Sequence, residues 1–171
     1  MSNQTSVHVG DYPAIPEDAS PGLLFLKEFL PAIDSLDERP AIAKFLSPDV
    51  RFIGGGTIIT RDALYTMFRG RSGRLSSFGH RVKKAWDIAA PFVGPDGSVR
   101  EGRTVLYESV SSTIFKDDPE QVPAEVPEFS VIELEPCASD PGIFVAVEIR
   151  FFMDPKPVLD RREQLRSNST N

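Results

Sequence analysis

Apolar residues recur at helical spacing early in this chain and at alternate positions through its second half. Leu23, Leu26, Phe29, Leu30 and Ile33 mark one face of a helix, which Pro21 and Gly22 open with Ser20 as its cap. Pro31 falls inside that pattern and is expected to kink or divide it. Asp37 can cap a second short helix, Glu38 to Leu46, stopped by Pro48. Val50 to Ile53 reads as a short strand, Gly54 to Gly56 as a bend, and Thr57 to Ile59 as a further short strand. Thr60 or Asp62 then caps a third helix that runs through Phe68 and ends in the basic, glycine-rich segment RGRSGRLSSFG. Four long strands follow: His80 to Ala89, Arg103 to Phe115, Val126 to Glu135 and Ile143 to Met153. With the helices first and the sheet last, the order predicts an α+β fold. A curved, mostly antiparallel sheet is expected to wrap over a layer of three N-terminal helices and leave a pocket.

Alternation assigns faces to the strands. In the last strand, Ile143, Val145, Val147, Ile149, Phe151 and Met153 form an apolar set expected to face the helices. Phe144, Ala146, Glu148, Arg150 and Phe152 form the outer set, suited to solvent or a subunit interface. In the third, the set Glu128, Ser130, Ile132 and Leu134 has the make-up of a cavity wall. In the first, His80, Val82, Lys84, Trp86 and Ile88 share a face, with Arg81, Lys83 and Asp87 towards solvent. In the second, Val105, Tyr107, Ser109 and Ser111 oppose Leu106, Glu108, Val110 and Ile114, and the pattern does not choose between the two faces.

The chain has 171 residues and a net charge of -6, which fits one soluble domain and argues against nucleic acid as a partner. No apolar run approaches the roughly 20 residues of a membrane span. The N-terminus lacks a basic start and an apolar stretch, so a cytoplasmic protein is expected. Residues 1–20 are polar and read as a flexible arm, 21–154 as a single α+β domain, and 155–171 as a polar tail in which Val158 to Arg166 can form one lid helix. Two histidines and the single Cys137 supply no metal-ligand cluster, and no metal or organic cofactor is expected.

The stretch Ala43-Lys44-Phe45-Leu46-Ser47-Pro48-Asp49-Val50-Arg51-Phe52, with the glycine turn and third helix after it, resembles the nuclear transport factor 2-like superfamily. More narrowly, it resembles the SnoaL-like, polyketide-cyclase branch. The strand Glu148-Ile149-Arg150-Phe151-Phe152-Met153-Asp154 looks like that family's closing strand, and the likeness spans about residues 22–154. It implies a cone of curved sheet closed by helices, often dimeric through the outer face of the sheet. Its members are isomerases, cyclases, dehydratases, hydrolases and binding modules, so the fold does not name the function. Ketosteroid-isomerase-type catalytic positions fall on Ile53 or Gly54, on Phe29 or Leu30, and on Ser130, none of which carries the required group. The paired histidines of scytalone-dehydratase-like enzymes reduce here to His80 alone.

His80 heads the candidate chemistry, because imidazole transfers protons near neutral pH; the ordinary alternative is a rim histidine. Tyr107 can donate to an enolate or carbonyl oxygen, or be a core aromatic with a bonded hydroxyl. Glu108, with Glu128, Glu133 and Glu148, is a strand carboxylate that could shuttle a proton from an apolar cavity, although most such groups are solvated. Arg39, at the start of the second helix, could hold an anion, although a surface arginine is the commoner case. Lys84 is a buried amine or, more commonly, a lysine carried to solvent by a bulge. Phe52, Tyr65, Phe68, Trp86, Phe151 and Met153, with Ser130, would line the cone, and their aromatic content favours a hydrophobic small molecule. These features together predict a cofactor-independent isomerase, cyclase or dehydratase. It would move protons on a bulky polycyclic intermediate, as in secondary-metabolite biosynthesis. The alternative is a non-catalytic ligand-binding or protein-interaction module of the same fold.

Overall fold

The computed structural model describes residues 5–37, 41–93, 97–137 and 139–168. The first helix, α1, runs Pro21–Asp34, with Ser20 as its N-cap residue and Pro21 at its first position. It buries Leu23, Leu26, Phe29 and Leu30. Pro31 does not divide it. Proline removes one donor in the last turn, where the buried face already holds the helix, and the Ser35 N–H still bonds the Pro31 carbonyl at 3.1 Å. The expected second helix is a single 3-10 segment, Ala41–Phe45, which leads into strand β2, Leu46–Gly54. Arg39 lies outside the described residues. A short strand β3, Thr57–Ile59, precedes helix α2, Arg61–Arg74. Thr60 caps α2, its Oγ1 accepting the Ala63 N–H at 3.3 Å. The helix passes through Gly70 and Gly73 to Arg74, six residues beyond the end expected at Phe68.

Strands β4 (Leu75–Ala89), β7 (Arg103–Phe115), β8 (Ala124–Cys137) and β9 (Asp140–Met153) form the antiparallel centre of the sheet, with a small ribbon of β5 (Phe92–Val93) and β6 (Val99–Arg100) beside it. The N-terminal segment expected as an arm instead supplies strand β1, Thr5–Val9, antiparallel to β4. Asp11 secures the turn after it by accepting the Val82 N–H at 2.9 Å, and Ile15 is part of the core. The seven strands run in the order β1-β4-β7-β8-β9-β2-β3, and the β2–β9 pair is parallel. The tail forms helix α3, Lys156–Asn168, whose Leu165 packs with Leu75 and Phe115 in a second apolar cluster.

Two bulges reset the faces assigned from alternation, because one extra residue inverts every side chain beyond it. In β4 the register slips between Val82 and Lys84. His80 and Val82 stay inward, but beyond the bulge it is Ala85 and Asp87 that are buried. Lys84 and Trp86 therefore lie on the outer face, with the ammonium 4.8 Å from the indole ring. In β9 the slip falls between the partners of Glu133 and Leu134. Ile149 faces inward as expected, but so do Ala146 and Phe144, while Ile143 is exposed. On β7 the inward set is Val105, Tyr107, Ser109 and Ser111, and Glu108 is exposed on the outer face. On β8 the Ser130 set faces inward.

Asp87, expected in solvent, is fully buried between helix and sheet. It accepts the Gly22 N–H of α1 at 2.9 Å and the Arg103 Nε–H at 2.7 Å. A Cβ at Gly22 would lie 2.4 Å from Asp87 Oδ1, so the absence of a side chain there permits the contact.

Candidate functional site

α1 ends in a carboxylate on its buried side. Leu26, Leu30 and Asp34 follow one another at intervals of four, so Asp34 extends the stripe that packs on the sheet. Its Oδ2 accepts the His80 backbone N–H at 2.9 Å, and its Oδ1 lies 2.5 Å from His80 Nδ1. On the other side of the ring, His80 Nε2 is 3.5 Å from Glu128 Oε2. Glu128 Oε1 accepts the Ser130 hydroxyl at 2.7 Å, and Ser130 lies opposite Tyr107 in the β7–β8 register. The five groups thus form a continuous polar line across the inner sheet, from Asp34 through His80, Glu128 and Ser130 to Tyr107.

Both carboxylates act on the imidazole. Burial by itself pushes the His80 pKa down; hydrogen bonds and charge from Asp34 and Glu128 outweigh it and raise the pKa to about 9. His80 is therefore an imidazolium at neutral pH. Burial pushes the Glu128 carboxyl up, but the hydrogen bond and charge of His80 bring it below its ordinary value, so Glu128 stays ionised. Tyr107 is fully buried; loss of solvent and the nearby Glu128 charge raise its phenol well above the ordinary range. It is a neutral hydrogen-bonding group. The Ser109 hydroxyl, opposite Glu128 in the β7–β8 register, is buried with no hydrogen-bond partner among the described residues.

Glu128 opens onto a cavity of about 270 Å³ between α2, α3 and the sheet. Its apolar walls include Phe78, Phe115, Val126 and Met153, and α3 roofs it with Val158 and Leu159. Arg71, Arg74 and Arg162 also line it. The Arg71 guanidinium lies 4.3 Å from the rings of both Phe68 and Phe78 and donates to the carbonyls of Ile33 and Ser35 at the end of α1. Burial lowers its pKa to about 10 against the opposing charge of Asp34, which leaves it cationic at neutral pH. α3 is tied down by Arg161, which donates to both carboxylate oxygens of Asp118 at 2.7 and 2.8 Å. Asp118 also accepts the N–H groups of Glu120 and Val122 at 3.0 Å each.

The structure brings His80, Tyr107 and Ser130 together, and places Met153 in the cavity wall. It separates the other described candidates from that site. Glu108, Lys84 and Trp86 are on the outer face, because of strand phase for the first and the β4 bulge for the other two. Phe52 and Phe68 are nearly fully buried in the main core. Tyr65 packs against that core and accepts from Arg61 Nε at 3.1 Å. Phe151 covers Gly54, where a Cβ would meet its ring at 2.1 Å. The expected aromatic lining is thus mostly packing, and the cavity that Glu128 faces lies towards α3. Asp34 and Arg71 were not singled out from the sequence. Asp34 carried a signal, a carboxylate at helical spacing on an apolar stripe; Arg71 carried none, because α2 was expected to stop before it.

No protein-family model and no curated protein sequence matches the chain. Solved structures do match in shape. BvnE pinacolase from Penicillium brevicompactum superposes with a TM-score of 0.59 at 12% identity, over 88% of this chain and 97% of that one. A putative scytalone dehydratase from Novosphingobium aromaticivorans gives 0.56 at 10% identity, over 77% and 80%. Nuclear transport factor 2 from Cryptosporidium parvum gives 0.53 at 13% identity, over 87% and 100%. With its helices packed inside a curved, unclosed seven-stranded sheet, the chain has the nuclear transport factor 2-like fold.

Proposed function

We propose that this protein is a cofactor-independent proton-transfer enzyme of the isomerase, cyclase or dehydratase type, acting on a hydrophobic small molecule in the cavity beneath α3. The observation that carries the reading is the ionised Glu128 carboxylate, held between His80 and Ser130 and facing an apolar cavity. Glu128 removes a proton from a carbon beside a carbonyl, and the Arg71 guanidinium in the same wall supports the negative charge that develops on the oxygen. Return of the proton at another carbon completes an isomerisation or permits ring closure; delivery to a departing hydroxyl completes a dehydration. His80, fixed by Asp34 as an imidazolium, keeps Glu128 ionised before the step. Tyr107 lies at the far end of the line, opposite Ser130.

Two structural neighbours, described as a pinacolase and a putative scytalone dehydratase, agree with this class of chemistry. The cavity lies near the lower end of the ~300–1,000 Å³ usual for small-molecule sites. This favours a one- or two-ring substrate, and a larger polycycle needs α3 displaced. A homodimer through the outer sheet face, where Trp86, Leu106, Phe129 and Phe152 lie, belongs to the same proposal. A non-catalytic binding role is favoured by one observation, the filling of the inner cone by Phe29, Phe52 and Tyr107.

Deuterium exchange into a panel of one- and two-ring ketones, followed by NMR in heavy water, tests the proposal. The protein is expected to accelerate exchange beside the carbonyl, and Glu128→Gln to reduce that by ~10²-fold or more. Unchanged exchange in Glu128→Gln, or ketone binding without exchange across the panel, would overturn the catalytic reading.

A further inference from the structure

The cavity carries three guanidinia against one carboxylate, although the chain as a whole has a net charge of -6. The two at its mouth are little used. Arg74 donates from Nε to Gly70 of its own helix at 2.8 Å. Arg162, half-buried on α3, has no hydrogen bond or ion pair among the described residues. Its neighbour Arg161 shows the contrast, being bound by both oxygens of Asp118. Arg71, deeper in the wall, is held by backbone carbonyls and has no ion pair among the described residues, although the Asp34 charge acts on it from a distance. Across the cavity, the Glu128 charge is already answered by His80. A guanidinium facing an apolar, partly desolvated space gains most from an anion that accepts two of its hydrogens at once.

We propose that this cavity selects small apolar acids, with the ligand's carboxylate, or an anion of like shape, held at the mouth between Arg74 of α2 and Arg162 of α3. Its apolar body lies along Phe78, Phe115, Val126 and Met153 and points towards Glu128. This orientation keeps the two negative groups at opposite ends of the cavity. It also draws α3 towards α2, so the ligand's charge closes the roof over its own body. The proposal rests on the cavity being the working site described above, but not on any chemistry occurring there.

Calorimetric binding of 2-naphthoate and of 2-naphthamide, which has the same rings but no charge, tests it. The wild-type protein is expected to bind naphthoate at least ~10-fold more tightly than naphthamide, with the preference shrinking as salt rises. Arg162→Ala and Arg74→Ala, checked for folding by circular dichroism, should lose most of the preference while leaving naphthamide affinity within about twofold. Arg162→Lys should keep part of it, since the charge remains and the forked geometry does not. Equal affinity for the two probes in the wild type, a salt-independent preference, or no binding of either would overturn the proposal. Glu128→Gln separates the two readings. Preference kept with proton exchange unaffected would sink the catalytic assignment alone, and preference absent with exchange lost in this variant would sink the acid-binding site alone.

Discussion

Raising the pH through the His80 titration should unfold part of this protein's stability margin. His80 has a pKa of about 9 in the folded chain and an ordinary value of 6.5. A base whose folded pKa is raised binds its proton more tightly when folded. The resulting stability is complete below pH 6.5, falls as pH rises between the two values, and is gone above about 9. Each unit of difference is worth about 1.4 kcal/mol, so the loss is about 3 kcal/mol. That is a large share of the ~5–15 kcal/mol typical of a folded domain. The side chain is only 5% exposed, so solvent does not screen the effect away. Urea unfolding followed by circular dichroism at half-unit steps from pH 6 to 10 measures the curve, and the imidazole Cε1 proton signal in NMR gives the pKa directly. With His8 the only other histidine, His80→Asn assigns that signal and should flatten the curve. Asp34→Asn should move the titration down, because it removes one of the two carboxylates that hold the proton. A histidine titrating near 6.5, or a stability flat from pH 6 to 9.5, would refute the account of the Asp34–His80–Glu128 line.

Arg103→Ala should cost about 3–5 kcal/mol, read from chemical denaturation, because it strands Asp87 as an unpaired charge at the α1–sheet contact. Asp87→Asn should cost less, since the amide oxygen can still accept the Gly22 N–H. Arg161→Ala should make α3 the first site of limited proteolysis while strands β4, β7 and β8 stay resistant, because the helix loses its hold on Asp118. If the outer face is a subunit interface, Phe152→Ala combined with Arg150→Ala should lower the sedimentation coefficient to that of a monomer; an unchanged coefficient would remove that interface from the proposal.

Local chemistry made much of the fold readable. Helical spacing from Leu23 to Ile33, the Thr60 cap and the alternation in β7 and β8 each depend on a few neighbouring residues, and each element formed where its pattern lay. His80, Tyr107 and Ser130 were legible as candidates because they are polar groups set into apolar strand faces. Other features depended on distant partners. A polar N-terminus became strand β1 because β4 offered it a free edge; the tail helix was legible over Val158 to Arg166, but its docking depended on Leu165 finding Leu75 and Phe115. The two bulges had the widest effect. A bulge forms where two whole strands must match twist and register across the sheet, so the sequence of either strand alone does not place it. One bulge sent Lys84 and Trp86 outward and buried Asp87; the other turned Phe144 and Ala146 inward.

The amino-acid order by itself therefore determined the kind of container, a helical layer inside an antiparallel sheet, and the presence of a few polar groups within it. Only the tertiary structure decided which carboxylates reach His80. Asp34 and Glu128 lie 46 and 48 residues from it in opposite directions along the chain, and meet it because α1 docks on the inner sheet while β8 lies two strands from β4, across β7. Proton affinity is set by such through-space neighbours and by the loss of water around them, and neither is a property of the residue's own place in the sequence.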